Sequence, residues 1–113
     1  MKEIKAIIQS FMLDKVCDAL AEIDGLPGMT VSEVAGWGRT RARGTEHLVH
    51  HSGCRFAKKT KIEIVVKDGM AELVVDSIAR SAHTGNVGDG KIFVYEISDA
   101  LKIRTGHRGE AAV

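Results

Sequence analysis

Residues 85–91, Gly-Asn-Val-Gly-Asp-Gly-Lys, set three glycines and a lysine within seven positions. The spacing fits G-x-x-x-x-G-K, the opening of a phosphate-binding P-loop. Two features exclude a true P-loop. The residue after the lysine must be Ser or Thr to hold magnesium, and here it is Ile92. A helix must follow, so that its N-terminus faces the phosphates, yet Ile92-Phe93-Val94-Tyr95 is β-branched and aromatic and reads as a strand. A different phosphate grip remains open. Gly85, Gly88 and Gly90 would let backbone N–H groups approach phosphate oxygens without a Cβ in the way, and Lys91 is a point charge for them. Asp89 is the acidic residue of this loop. It is the one acid placed as an evident base, but its expected role is to fix loop geometry through backbone hydrogen bonds rather than to catalyse hydrolysis.

A second group of chemically capable residues is H-x-x-H-H-x-x-C: His47, His50, His51 and Cys54. Imidazole and thiolate at such spacing could ligate zinc, copper or nickel, though the pattern matches no structural-zinc signature. Around it lie Arg41, Arg43, Arg55, Lys58 and Lys59. This basic stretch does not make a nucleic-acid binder. The formal net charge is only +1, and Phe56 is the single aromatic nearby. Cys17 and Cys54 lack C-x-x-C spacing, which fits a reduced, cytoplasmic protein. No apolar run approaches the roughly 18 residues of a membrane span, so no membrane insertion is expected.

The elements that must carry these residues follow from periodicity. The 113 residues suit one compact domain, 1–113. Residues 2–9 alternate, with Ile4, Ala6 and Ile8 on one face, and form a strand. Leu13, Val16, Cys17 and Leu20 mark an amphipathic helix, with Cys17 in its core, stopped by Asp-Gly-Leu-Pro-Gly at 24–28. Residues 29–37 read as a second strand, 39–56 as a long loop, and 61–67 as a third strand. Met70, Leu73, Val74 and Ile78 mark a second helix. The glycine loop leads into a strand at 92–97, and 101–105 reads as a short last strand. On that strand Lys102 and Arg104 would share a face and point into one cleft. The order β-α-β-β-α-β is the ferredoxin-like α+β pattern, a four-stranded antiparallel sheet with two helices on one face. The other face needs a cover, and packing of sheet faces around a symmetry axis supplies one.

Five segments in this order and spacing resemble the PII signal-transduction family: MKEIKAIIQSF, GMTVSEVAGWGR, KIEIVV, TGNVGDGKIFVYEI and IRTG. The resemblance implies a homotrimer, an ATP or ADP site in each cleft between subunits, and a long mobile loop that docks on a target protein. It implies that Thr84, Gly85, Gly88, Asp89, Gly90 and Lys91 form the nucleotide loop. Arg39, Lys102 and Arg104 would add charge at the phosphates, and Thr30, Gly36, Trp37 and Gly38 would line the base and ribose side. Lys102 stands where the family usually has arginine, which keeps the charge and gives up the fork geometry.

The departures from the family pattern fall between residues 39 and 59. A glutamine that helps hold Mg²⁺ and 2-oxoglutarate is replaced by Thr40, whose hydroxyl is too short to reproduce an amide carbonyl at the metal. Lys59, matching the lysine that contacts the 2-oxoglutarate carboxylate, is retained. Losing one of two contacts argues against 2-oxoglutarate sensing. Ser52 stands where some members carry a tyrosine for nucleotidylation, so that control is not expected. The expected function is a non-catalytic regulator whose nucleotide sets the conformation of the 39–56 loop and, through it, a membrane transporter or metabolic enzyme. The alternative is a metal-responsive PII-like protein that signals through its His/Cys cluster.

Overall fold

The computed structural model describes residues 1–37, 48–51 and 54–113, and of residues 48–51, 54 and 55 the backbone alone. Its elements are β1 (Lys2–Gln9), α1 (Leu13–Ala21), β2 (Thr30–Gly36), β3 (Leu48–His51), β4 (Cys54–Val66), α2 (Asp68–Ala82) and β5 (Gly90–Glu96). Short 3-10 turns occupy Ser10–Met12 and Gly109–Ala112. The sheet order is β2-β4-β1-β5, with every pair antiparallel. This is the ferredoxin-like order expected from the alternation of elements.

Alternation in β1 and β4 decides which face is buried. Ile4, Ala6 and Ile8 of β1 and Ile62, Ile64 and Val66 of β4 are fully buried, against Val16 and Leu20 of α1 and Val74 and Ile78 of α2. Each buried Ile, Val or Leu among them contributes about 1.5–3 kcal/mol by leaving water. Asp68 in the first turn of α2 and Arg80 in its last complement the helix dipole. The buried stripe of α2 differs from the expected one. Leu73 is half exposed, while Ala71, Ser77, Ser81 and Ala82 are buried. Small residues let the helix lie close, and the Ser81 hydroxyl remains satisfied by donating to the Ser77 carbonyl at 2.6 Å. Cys17 is only partly buried.

The opposite sheet face carries Glu3, Lys5, Ile7, Lys61, Glu63, Val65, Phe93 and Tyr95, none of them buried. The Lys5 ammonium lies over the Tyr95 ring, 4.7 Å from its centroid, a cation–π contact spanning β1 and β5.

Two expected elements are corrected. Residues 39–56 are not one irregular loop, because Leu48–His51 pairs with the first residues of β4, which begins at Cys54. That hairpin is built on backbone pairing with little apolar alternation to reveal it. Residues 39–47 of the expected mobile loop, with residues 52 and 53, lie outside the described residues. Residues 101–105 are not a strand either. Leu101 makes an isolated bridge to Arg108, and between them the Lys102 carbonyl accepts from the N–H groups of Thr105 and Gly106, at 3.3 and 2.7 Å. Gly106, at φ 75°, closes this turn in the left-handed region. Lys102 and Arg104 therefore stand on a turn and not on a strand face.

Candidate functional site

The glycine loop spans the end of α2 and the start of β5, and its own side chains shape it. The Asp89 carboxylate accepts from the backbone N–H groups of Thr84 and Gly85, at 2.8 and 3.0 Å, and from the Thr84 hydroxyl. The Thr84 hydroxyl oxygen in turn accepts from the Asn86 N–H at 3.1 Å. The Thr84 hydroxyl and then its N–H hold the Asp89 carboxyl below the usual aspartate range. The carboxylate is thus turned back into the loop. Gly85, Gly88 and Gly90 have φ of 86°, 96° and 103°, a backbone path that side-chain-bearing residues rarely follow.

The register brings further predicted residues to the same end of the sheet. Gly90 pairs with Ile8 and Lys91 with Ile7, at the far end of β1. Lys59 pairs with Gln9 of β1 and with Val34 of β2. Its stem runs beside Gly36, where an added Cβ would stand 3.4 Å from the Lys59 Cγ. Its ammonium donates to the Gly88 carbonyl at 2.6 Å. Partial burial pushes the Lys59 pKa down, and the charge of Asp89 opposes that shift. Gly36, Lys59, Gly88 and Lys91 are therefore neighbours in one chain. Trp37 follows Gly36 and is 58% exposed. Gly38 and Arg39 lie outside the described residues, as do His47 and the side chains of His50, His51 and Cys54. The backbone register sets His51 opposite Cys54. Among the described residues, no group of three His, Cys, Asp or Glu could hold a metal ion.

Thr30, at the other end of β2, lines a different feature: an open cleft of about 560 Å³. Its walls include Glu3, Glu63, Val65, Asp99 and Ala100. Burial, then the neighbouring Glu63 carboxyl, pushes the Glu3 carboxyl up, so Glu3 keeps its proton to higher pH than an ordinary glutamate. Glu63 is held down, first by the Lys61 ammonium at 3.3 Å and then by Glu3. Sequence reasoning missed Glu3 and Glu63. Their alternation put each on the outer face of a strand, but only the pairing of β1 with β4 sets them beside one another.

Lys102 and Arg104 are exposed and have no side-chain partner among the described residues. Ile103 between them is 94% exposed. Within one chain they do not meet the glycine loop. That loop enters β5 at Gly90, whereas their turn follows its other end at Glu96. Six residue steps of strand separate the two ends by roughly 20 Å.

The chain matches the family model described as nitrogen regulatory protein P-II over residues 1–107. It is 48% identical to nitrogen regulatory protein P-II 1 of Escherichia coli (strain K12), across the full length of both chains. The same identity and coverage hold for the nitrogen regulatory protein P-II of Klebsiella oxytoca and that of Rhodospirillum rubrum. The chain belongs to the P-II family. As a P-II protein it is a regulatory, non-enzymatic signal transducer that acts by engaging target proteins. The P-II match includes the glycine loop and the turn bearing Lys102 and Arg104. Among the described residues, no helix is long and apolar enough to cross a membrane.

Proposed function

We propose that this P-II protein binds ATP and ADP in clefts between the subunits of a homotrimer, and that the bound nucleotide sets how the segment after Gly36 engages a target transporter or enzyme. The observation that carries this reading is the gathering of Gly36, Lys59, the left-handed Gly88 and Lys91 at one end of the sheet. Backbone amides and the Lys91 ammonium there suit a polyphosphate, with Lys59 bonded to the Gly88 carbonyl beside them. At the other end of β2 the carboxylates of Glu63 and Asp99 repel phosphate and suit the donors of a base or ribose, beside Thr30. A nucleotide laid along β2 would meet each end with the matching chemistry.

Lys102 and Arg104 would complete the phosphate charge from a neighbouring copy, since their own glycine loop lies across the length of β5. The unburied outer sheet face, with Phe93 and Tyr95, supports such packing of copies. Mg²⁺ would accompany the triphosphate, while Thr40 in place of glutamine argues against 2-oxoglutarate as a second effector. The nucleotide shifts the population of loop states only if it contacts one better than the other. Arg39 is the natural lever, because it follows Gly36 into the loop and carries the charge.

The test is calorimetric titration of ATP and ADP into the wild type and Lys91→Ala, with the assembly sized by light scattering. Binding by the wild-type trimer and its loss in the variant are expected. No binding at physiological nucleotide levels, or a monomer, ends the reading.

A further inference from the structure

The Gly88–Asp89 peptide turns about ψ of Gly88 and φ of Asp89, and with no Cβ on Gly88 either orientation is open to it. Gly88 itself has φ 96°. Its carbonyl accepts from the Lys59 ammonium at 2.6 Å, in a partly buried setting. That setting removes part of the water around the ammonium, which lowers the lysine pKa, and the carbonyl replaces part of the lost solvation. A trans peptide is planar, with C=O and N–H on opposite sides. A Gly88 carbonyl drawn to Lys59 therefore turns the Asp89 N–H away from it.

We propose that Lys59 is a positioning residue that locks the Gly88–Asp89 peptide in one orientation, so that the Asp89 N–H is presented to an anion before any ligand arrives. Its benefit to nucleotide rests on the reading given above, whereas the lock itself is a property of the ligand-free protein. Asp89 secures the other limb of the same loop through Thr84 and Gly85. The Lys59 stem lies beside Gly36, the last residue of β2. A shift of the backbone there would move the lock, which gives the segment beyond β2 a route to the glycine loop.

The experiment uses the full chain without nucleotide, as wild type, Lys59→Met and Lys59→Arg. Met keeps a stem beside Gly36 and loses the donor, whereas Arg keeps a donor. The Asp89 amide signal in the NMR spectrum is expected to shift or broaden in Lys59→Met and to stay single in Lys59→Arg, with the amides of Ile4 and Ile64 unmoved in both. ATP affinity should fall about tenfold in Lys59→Met, with the salt dependence of the wild type. An unchanged Asp89 amide in ligand-free Lys59→Met overturns the proposal. So does an affinity loss with a shallower salt dependence and unchanged ligand-free spectra, because Lys59 would then contact phosphate directly. If the wild type binds no nucleotide, the functional reading fails, and the ligand-free spectra still decide the lock.

Discussion

Gly90 lies so close against Ile7 that a Cβ built on it would overlap the Ile7 carbonyl oxygen and stand 2.8 Å from the carbonyl carbon. Its φ of 103° adds a second reason for glycine at this position. Gly90→Ala must therefore part β5 from β1 or distort the loop. A loss of about 3 kcal/mol or more in urea unfolding is expected. Gly28→Ala, with nothing within 4 Å of the new methyl group, should change stability by no more than about 0.5 kcal/mol. Equal effects of the two would mean that the close approach has no energetic weight.

Asp89→Ala removes the acceptor for two backbone N–H groups and the Thr84 hydroxyl. The loop should open, with faster amide exchange at Thr84 and Gly85 and ATP binding weakened by about tenfold. The acid dependence follows from the direction of the Asp89 shift. A depressed carboxyl pKa adds stability above the unfolded-state value, ordinarily 3.8, and this is lost as pH falls through the lower folded value. Loop protection should thus be complete at neutral pH and fade only in acid. Protection lost near neutrality would point to a different titrating group.

The Glu3–Glu63 pair makes the opposite prediction. Glu3 is shifted upward, so its contribution is complete below the ordinary glutamate value of 4.5 and is lost as pH rises through its raised folded value. Glu3→Gln keeps a neutral donor for Glu63. The wild type should lose stability relative to this variant as pH rises from about 4.5 to 7. Parallel pH profiles would show that the two carboxyls do not share a proton.

Lys102 and Arg104 have no side-chain partners to lose among the described residues. Lys102→Ala with Arg104→Ala should leave stability within about 0.5 kcal/mol while weakening ATP by at least about a hundredfold. Differential scanning calorimetry and titration calorimetry on the same samples separate the two effects. Unchanged affinity would remove this turn from the site.

Much of this was legible in the sequence because period and face are local properties. Ile4, Ala6 and Ile8, and likewise Ile62, Ile64 and Val66, declared their strands and their buried side. The glycine loop was legible for the same reason, since Gly85, Gly88 and Gly90 sit within six residues. The β3–β4 hairpin was not, because its pairing is backbone to backbone and its residues include His50, His51 and Arg55. The Leu101–Arg108 turn was read as a strand because Leu101 and Ile103 alternate with Lys102 and Arg104, whereas Gly106 ends the extension. Leu73 was assigned to the wrong side of α2, since periodicity counts large apolar residues and overlooks Ala71 and Ser77. The Lys59–Gly88 bond and the Glu3–Glu63 pair depend on strand register, which a single chain of letters does not contain.

The span of β5 has a consequence for inheritance of damage. If each copy gives its glycine loop to one cleft and its Lys102–Arg104 turn to the next, no single polypeptide is a whole receptor. Chains crippled at Lys91 and chains crippled at Arg104 would each be silent alone. Mixed rings would regain some intact clefts, wherever the undamaged halves of two different chains happen to meet.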